Sequence, residues 1–182
     1  MSLPERKEYT SEDYWKLPEG ERAELINGQF YAMAPPGLVH QKLVTELLAA
    51  IHRHIRENQG QCEVVPAPFA VNLDKEDKNW VEPDISVICD RKKLTERGCV
   101  GAPDLIIEVV SPSSRKTDYC IKYMLYAETG VKEYWIVDPK KQMTMVYRFT
   151  EDIAPVIYPF AALVECAVLP RLSVNISELL ST

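Results

Sequence analysis

Glycine and histidine are both scarce in this chain. Only 7 of its 182 residues are glycine, which excludes a fibrous repeat, and 46% hydrophobic with 26% charged residues excludes disorder. No histidine follows position 54, so a serine triad would have to use His40, His52 or His54. No nucleophile-elbow pattern surrounds Ser111, Ser113 or Ser114, which read as turn and cap residues. The cysteines, Cys62, Cys89, Cys99, Cys120 and Cys166, form no CxxC pair and no Cys/His cluster at zinc spacing, and read as reduced, mostly structural thiols of a cytoplasmic protein. No apolar run approaches a membrane span, and MSLPERKEYTSEDYWKLPEGE at the N-terminus is polar and acidic, so neither membrane insertion nor export is expected. Positive charge is in deficit as well: 21 Lys and Arg against 27 Asp and Glu leave −6. That argues against a broad, sequence-independent hold on nucleic acid; any such site must be local, or must borrow positive charge from a metal.

What is present fits one domain spanning residues 1–182, without internal repeats. A short helix is expected from Thr10 or Ser11. In AELINGQFYAM, residues 23–33, the Asn27-Gly28 pair predicts a two-residue hairpin, because both turn positions need positive φ. A helix follows from Leu38 to Asn58, with Leu43, Val44, Leu47, Leu48, Ile51 and Ile55 in one apolar stripe and Gly60 as its stop. Strand-like runs come at 62–71 and 84–89, separated by the charged loop DKEDKNW, which carries no motif. A third strand covers 104–110, a helix runs from Asp118 to Thr129 and stops at Gly130, and strands at 132–139 and 143–149 pair with each other. A further strand and a short helix near Ile176–Leu180 end the chain. This order predicts an α/β layer fold with a mixed β-sheet flanked by helices and an N-terminal hairpin.

One residue breaks the pattern. The strand inside GAPDLIIEVVSPSS is apolar and rich in Ile and Val, yet Glu108 stands in its middle. An ionised carboxylate in such a place needs a partner. Asp104 lies on the same face but roughly 13 Å away at about 3.3 Å per residue, so it is a strand-start residue. Asp84, opening the strand in VEPDISVIC, comes within a few ångströms of Glu108 if the two strands pair. Two such carboxylates make a hard oxygen site for Mg²⁺ or Mn²⁺. Lys122 lies four residues from both Asp118 and Tyr126, and a helix packing back over its strand can return it to the carboxylates. The simpler alternative is a surface salt bridge between Asp118 and Lys122.

A Pro-Asp opening one strand, an acid central to the next and a lysine beyond resemble the PD-(D/E)XK nuclease superfamily. ELINGQ, the helix near His40, EPDISV, GAPDLIIEVVSPSS, the Asp118/Lys122/Tyr126 spacing and GVKEYWIVDP together are more closely similar to the Uma-two family of restriction-endonuclease-like proteins, over about residues 10–150. The resemblance implies a restriction endonuclease-like core with Asp84 and Glu108 as metal ligands, Glu24 as a further acid reaching the site, and His40 close by. It departs from the wider superfamily at Val110, where the lysine usually stands two residues after the acid. That lysine is therefore supplied by Lys122 from the helix.

The expectation is a Mg²⁺- or Mn²⁺-dependent endonuclease acting on nucleic acid, with DNA the favoured substrate. Asp84 and Glu108 hold the metal, Glu24 adds a ligand directly or through water, Lys122 orients or activates water, and His40 stands behind them. Simpler readings stand beside these: His40 as a hydrogen-bonded core histidine, Glu24 paired with a lysine, His52 and His54 on a solvated face, and Tyr134 and Trp135 as strand packing. Two rival functions are a catalytically inactive nucleic-acid or protein-binding module on the same fold, and a structural role in an oligomer. A C2 homodimer, whose two sites could cut both strands, is a fair expectation.

Overall fold

The computed structural model describes residues 7–73 and 77–181. Its elements run, in chain order, α1 (Ser11–Tyr14), β1 (Ala23–Ile26), β2 (Gln29–Ala32), α2 (Leu38–Glu57), β3 (Glu63–Pro66), β4 (Val71–Asn72), β5 (Trp80–Val81), β6 (Ile85–Ile88), β7 (Leu94–Thr95), β8 (Gly98–Val100), β9 (Leu105–Val109), α3 (Tyr123–Thr129), β10 (Glu133–Asp138), β11 (Met143–Arg148), β12 (Val156–Pro159), β13 (Leu163–Glu165), β14 (Ser173–Asn175) and α4 (Ile176–Ser181). A wide π-type turn, Thr117–Lys122, leads into α3.

The expected α/β class holds, with the strands divided between two mixed six-stranded sheets, β2-β1-β5-β4-β8-β7 and β12-β11-β10-β9-β6-β3, and a separate β13-β14 pair. Each large sheet has one parallel pair, β4 with β8 and β9 with β10. The division comes from the run 62–71, which the sequence presents as one strand. Pro66 ends β3 at the edge of the second sheet, where its missing N–H costs nothing. The chain then crosses over to β4 in the first sheet.

Local signals explain most boundaries. Thr10 and Asp13 close a capping box on α1, with the Thr10 N–H donating to Asp13 Oδ2 at 2.9 Å. Asn27 and Gly28 take φ of 49° and 69°, as the β1–β2 hairpin requires. Gly130 stops α3 at φ 93°. The stop of α2 differs from expectation. Gln59 takes the left-handed position at φ 52°, and the Gly60 N–H reaches back to the Ile55 carbonyl at 2.8 Å, a six-residue closure in which Gly60 is the following residue. The DKEDKNW loop holds more than expected. Residues 74–76 lie outside the described residues, but the loop's end forms β5, and Asn79 Oδ1 accepts from the Asn27 N–H at 2.8 Å.

The strand period of two sorts β9 between two cores. Leu105, Ile107 and Val109 face α2, whose Leu43, Leu47 and Ile51 are fully buried against them. Burying each of those α2 side chains is worth about 1.5–3 kcal/mol. Ile106 and Val110 face the other side, packing with Leu125 and Tyr126 of α3 and with Ile26 of the first sheet. Glu108 therefore points at α3 and the first sheet, away from α2.

The cysteine expectation is corrected in part. Cys62 and Cys89 are joined as a disulfide, because β3 and β6 pair with Glu63 opposite Ile88 and bring the two flanking cysteines face to face. Cys99 and Cys166 are buried free thiols, and Cys120 is exposed. Among the described residues, no helix is long and apolar enough to cross a membrane.

Gly98 occupies a position no other residue fits, with φ 144° and a geometry in which a Cβ would meet the Ala70 carbonyl oxygen at 2.1 Å. Gly98→Ala must push β8 off β4 and is expected to lower stability by on the order of 3 kcal/mol or more, read from urea unfolding.

Candidate active site

The β6–β9 pairing sets the site. These strands are antiparallel with Ile85 opposite Ile107, so Asp84 falls opposite Glu108. The Asp84 N–H donates to Glu108 Oε2 at 3.3 Å, and Asp84 Oδ2 accepts from the Val109 N–H at 2.8 Å. Two acids standing side by side in this way repel, and the surroundings must offset that repulsion.

Lys122 does so. Its ammonium lies 2.7 Å from Glu108 Oε1 and 2.8 Å from Glu24 Oε1, with all three side chains buried. Tyr126 donates its hydroxyl to the same Glu108 oxygen at 2.9 Å, and the Glu82 N–H donates to Glu24 Oε1 at 2.9 Å. Burial pushes the Glu108 carboxyl well above its usual range, with Lys122 opposing. For Lys122 burial acts downward, but Glu108 and Glu24 outweigh it and hold the ammonium well above the ordinary lysine value. The alternative of a surface bridge between Asp118 and Lys122 is not what forms. Both are buried, and Lys122 turns to Glu24 and Glu108.

His40, on the first turn of α2, places Nε2 3.2 Å from Asp84 Oδ2, while Nδ1 contacts Gln41 Oε1 at 3.3 Å. Burial pulls its pKa down, but the hydrogen bond and charge of Asp84 more than reverse this, leaving it raised. The five residues picked out in the sequence, Glu24, His40, Asp84, Glu108 and Lys122, thus line one cleft of about 400 Å³. His52 is exposed and His54 turns to the Pro170 carbonyl, both away from it. Tyr134 and Trp135 are fully buried strand residues.

Two members of the constellation were visible only as spacing. Tyr126 and Asp118 flank Lys122 at four-residue intervals. Tyr126 closes the hydrogen-bonding of Glu108, and Asp118 lines the cleft with neither carboxylate oxygen hydrogen-bonded among the described residues. Burial pushes Asp118 up to about 6 against the pull of Lys122 and the adjacent Ser114 hydroxyl. The π-type turn turns both Asp118 and Lys122 inward; such turns are frequent at functional sites.

Four carboxylates, Glu24, Asp84, Glu108 and Asp118, thus face one ammonium and one imidazole, while Glu82 and Arg22 in the same lining pair with each other. Among the described residues no three His, Cys, Asp or Glu side chains form a ready metal cage. On the two facing strands the oxygens left for a cation are Asp84 Oδ1, which has no hydrogen bond among the described residues, and Glu108 Oε2, which accepts one long one; Glu24 Oε2 and the Asp118 oxygens stand beside them. This set, with its surplus negative charge, fits a hard dication bound through one or two carboxylates and keeping most of its water, as Mg²⁺ does.

Fold and site together define a restriction endonuclease-like α/β protein, built around acids on adjacent strands and a lysine from the following helix. The chain belongs to the Uma2 family, described as "Putative restriction endonuclease", whose model matches residues 11–177. It shares its fold with a solved structure from Anabaena variabilis, described as a "putative nuclease belonging to DUF820": the TM-score is 0.78 at 24% identity, over 94% of this chain and 97% of that one. It is also similar to an uncharacterized protein of Synechocystis sp., 27% identical over 139 residues, which are 76% of this chain and 72% of that protein.

Removing the central cation leaves two acids buried beside each other without it. Lys122→Met is expected to cost about 3–5 kcal/mol in denaturant unfolding, and adding Glu24→Gln and Glu108→Gln should recover most of that loss. The His40 imidazole is expected to titrate above 6.5 by NMR. In Asp84→Asn the largest opposition to burial is lost and only Gln41 and Asp118 still act upward, so the value should fall. Because the folded value is the higher one, the His40–Asp84 pair stabilises the fold below pH 6.5 and loses this contribution as pH rises through the folded pKa.

Proposed function

We propose that the protein is a divalent-cation-dependent phosphodiesterase that hydrolyses nucleic acid, with DNA as its substrate. The observation that carries the reading is the opposition of Asp84 and Glu108 across β6 and β9 in a cleft with surplus negative charge. Membership of a family described as "Putative restriction endonuclease" supports it. Asp84 and Glu108 would hold Mg²⁺ or Mn²⁺. A cation so bound polarises a phosphoryl oxygen and lowers the pKa of bound water.

The chain's own groups do the rest. Lys122 is held cationic and fixed by Glu24 and Glu108, so one N–H of its ammonium remains to meet charge developing on the phosphoryl oxygens. Glu24 acts as the anchor of that lysine. His40, hydrogen-bonded to Asp84, fixes the orientation of that carboxylate, which in turn favours the protonated imidazole. Apolar side chains of α2 and the 66–68 turn, Val44, Leu48 and Pro68 among them, wall the cleft and strengthen these interactions by keeping out bulk water.

Calorimetric titration of Mn²⁺ into the wild type, Asp84→Asn and Glu108→Gln, followed by assay on mixed single- and double-stranded DNA, tests this. Binding by the wild type alone, and cleavage reduced at least about 10²-fold in both variants, is the expected result. Absence of Mn²⁺ binding by the wild type would remove the cation from the reading. Metal-dependent DNA binding without product would make the protein a binding module.

A further inference from the structure

Each acid at the centre of the cleft except Asp118 has at least one oxygen tied to a protein donor. Glu108 Oε1 is taken by Lys122 and Tyr126, and Glu24 Oε1 by Lys122 and the Glu82 N–H. Asp84 gives Oδ2 to Val109 and His40, and its other oxygen is the one available to a cation. His40 has both ring nitrogens engaged, and Lys122, held as an ammonium, has no lone pair to accept a proton. The Ser111, Ser113 and Ser114 hydroxyls close a turn on one another. Each of these groups is already bound to a protein partner.

Asp118 differs from all of them. It is 1% exposed, its two oxygens have no hydrogen-bond partner among the described residues, and its side chain lines the cleft beside Lys122, Glu108 and Asp84. Its backbone is held from both sides: the N–H donates to the Ser114 carbonyl at 2.8 Å, and its carbonyl accepts the Tyr134 hydroxyl at 3.1 Å. A buried carboxylate fixed at its backbone, with the nearby Ser114 hydroxyl as its one protein donor and no closed hydrogen bond to either oxygen, is left able to take a donor from the cleft.

We propose that Asp118 is the general base of the phosphodiester hydrolysis, taking the proton of the attacking water. This rests on the phosphodiesterase reading above. The water oxygen forms the new bond to phosphorus as its proton passes to an Asp118 carboxylate oxygen. The bond from phosphorus to one ester oxygen breaks, and that oxygen leaves with the electron pair and takes a proton from solvent. Asp118 then returns its proton to solvent. With a pKa of about 6, the group is ionised at neutral pH yet basic enough to accept a proton. The charged and titratable groups around it are Arg115 and Lys122 from the same helical segment, Tyr126 from α3, Glu24 from β1, His40 from α2, Asp84 at the start of β6, Glu108 from β9 and Tyr134 from β10.

The test measures kcat and KM for DNA hydrolysis with Mn²⁺ from acid to alkaline pH, in the full chain and in Asp118→Asn and Asp118→Ala, with and without added formate. Thermal melting checks the fold, and Asp118→Asn should melt no lower than the wild type, since it removes an unpaired buried charge. The expected result is a wild-type kcat that rises along an acid limb near pH 6. In Asp118→Asn kcat falls roughly 10²–10⁴-fold and the limb is lost, with KM unchanged, and formate restores part of the rate to Asp118→Ala alone. A wild-type kcat and limb in Asp118→Asn would overturn the base assignment and leave the hydrolase reading standing. A loss confined to KM, or one that formate does not relieve, would make Asp118 a structural residue and also overturn it. A wild type without turnover at any pH would overturn the hydrolase reading and the base with it.

Discussion

The Lys122 ammonium is the point at which the parts of this molecule meet. It comes from the helical segment after β9, and it bonds to Glu24 of β1 in the first sheet and Glu108 of β9 in the second. Three layers thus share one buried cation. A buried ionic group of this kind adds little net stability over an apolar packing, because desolvation offsets much of the attraction. Its effect is geometric: the helix, the hairpin and the central strand have one arrangement that leaves no acid of this trio unpaired.

The charge balance of the cleft follows from that constraint. Once Lys122 is shared between Glu24 and Glu108, it is no longer free for Asp84 or Asp118. The Val109 N–H and His40 serve Asp84, while Asp118 has only the nearby Ser114 hydroxyl and no closed hydrogen bond to its carboxylate among the described residues. A cleft with such a surplus repels a polyanion and attracts a cation, and the chain's overall charge of −6 acts in the same direction. Under the function proposed above, a bound cation would offset that repulsion.

Legibility in the sequence depended on range. The Asn27-Gly28 turn, the α2 stripe, the Gly130 stop and the β10–β11 pairing arise from neighbours within a few residues, and each was readable. The division of residues 62–71 between two sheets was not, because Val64 and Val71 are equally strand-like and only their partners separate them. Strands as short as β5 and β7 have too few residues to show a period. The disulfide was hidden for a related reason: Cys62 and Cys89 are 27 residues apart, and only the β3–β6 register brings them together. Asp118 was read at its four-residue spacing from Lys122, which suggested a bond between them that the actual winding and the pull of Glu24 do not allow.

By itself the sequence determined that a carboxylate would stand in an apolar strand, that a second acid would open another strand, and that a lysine would follow on a helix. These depend on residue identity and local periodicity alone. Only the tertiary structure decided that β6 runs antiparallel to β9 with Asp84 opposite Glu108, that Lys122 is shared with Glu24 from the other sheet, and that Asp118 remains without a closed hydrogen bond to its carboxylate among the described residues. Those outcomes depend on long-range register and on competition among several acids for one ammonium, which no local pattern encodes.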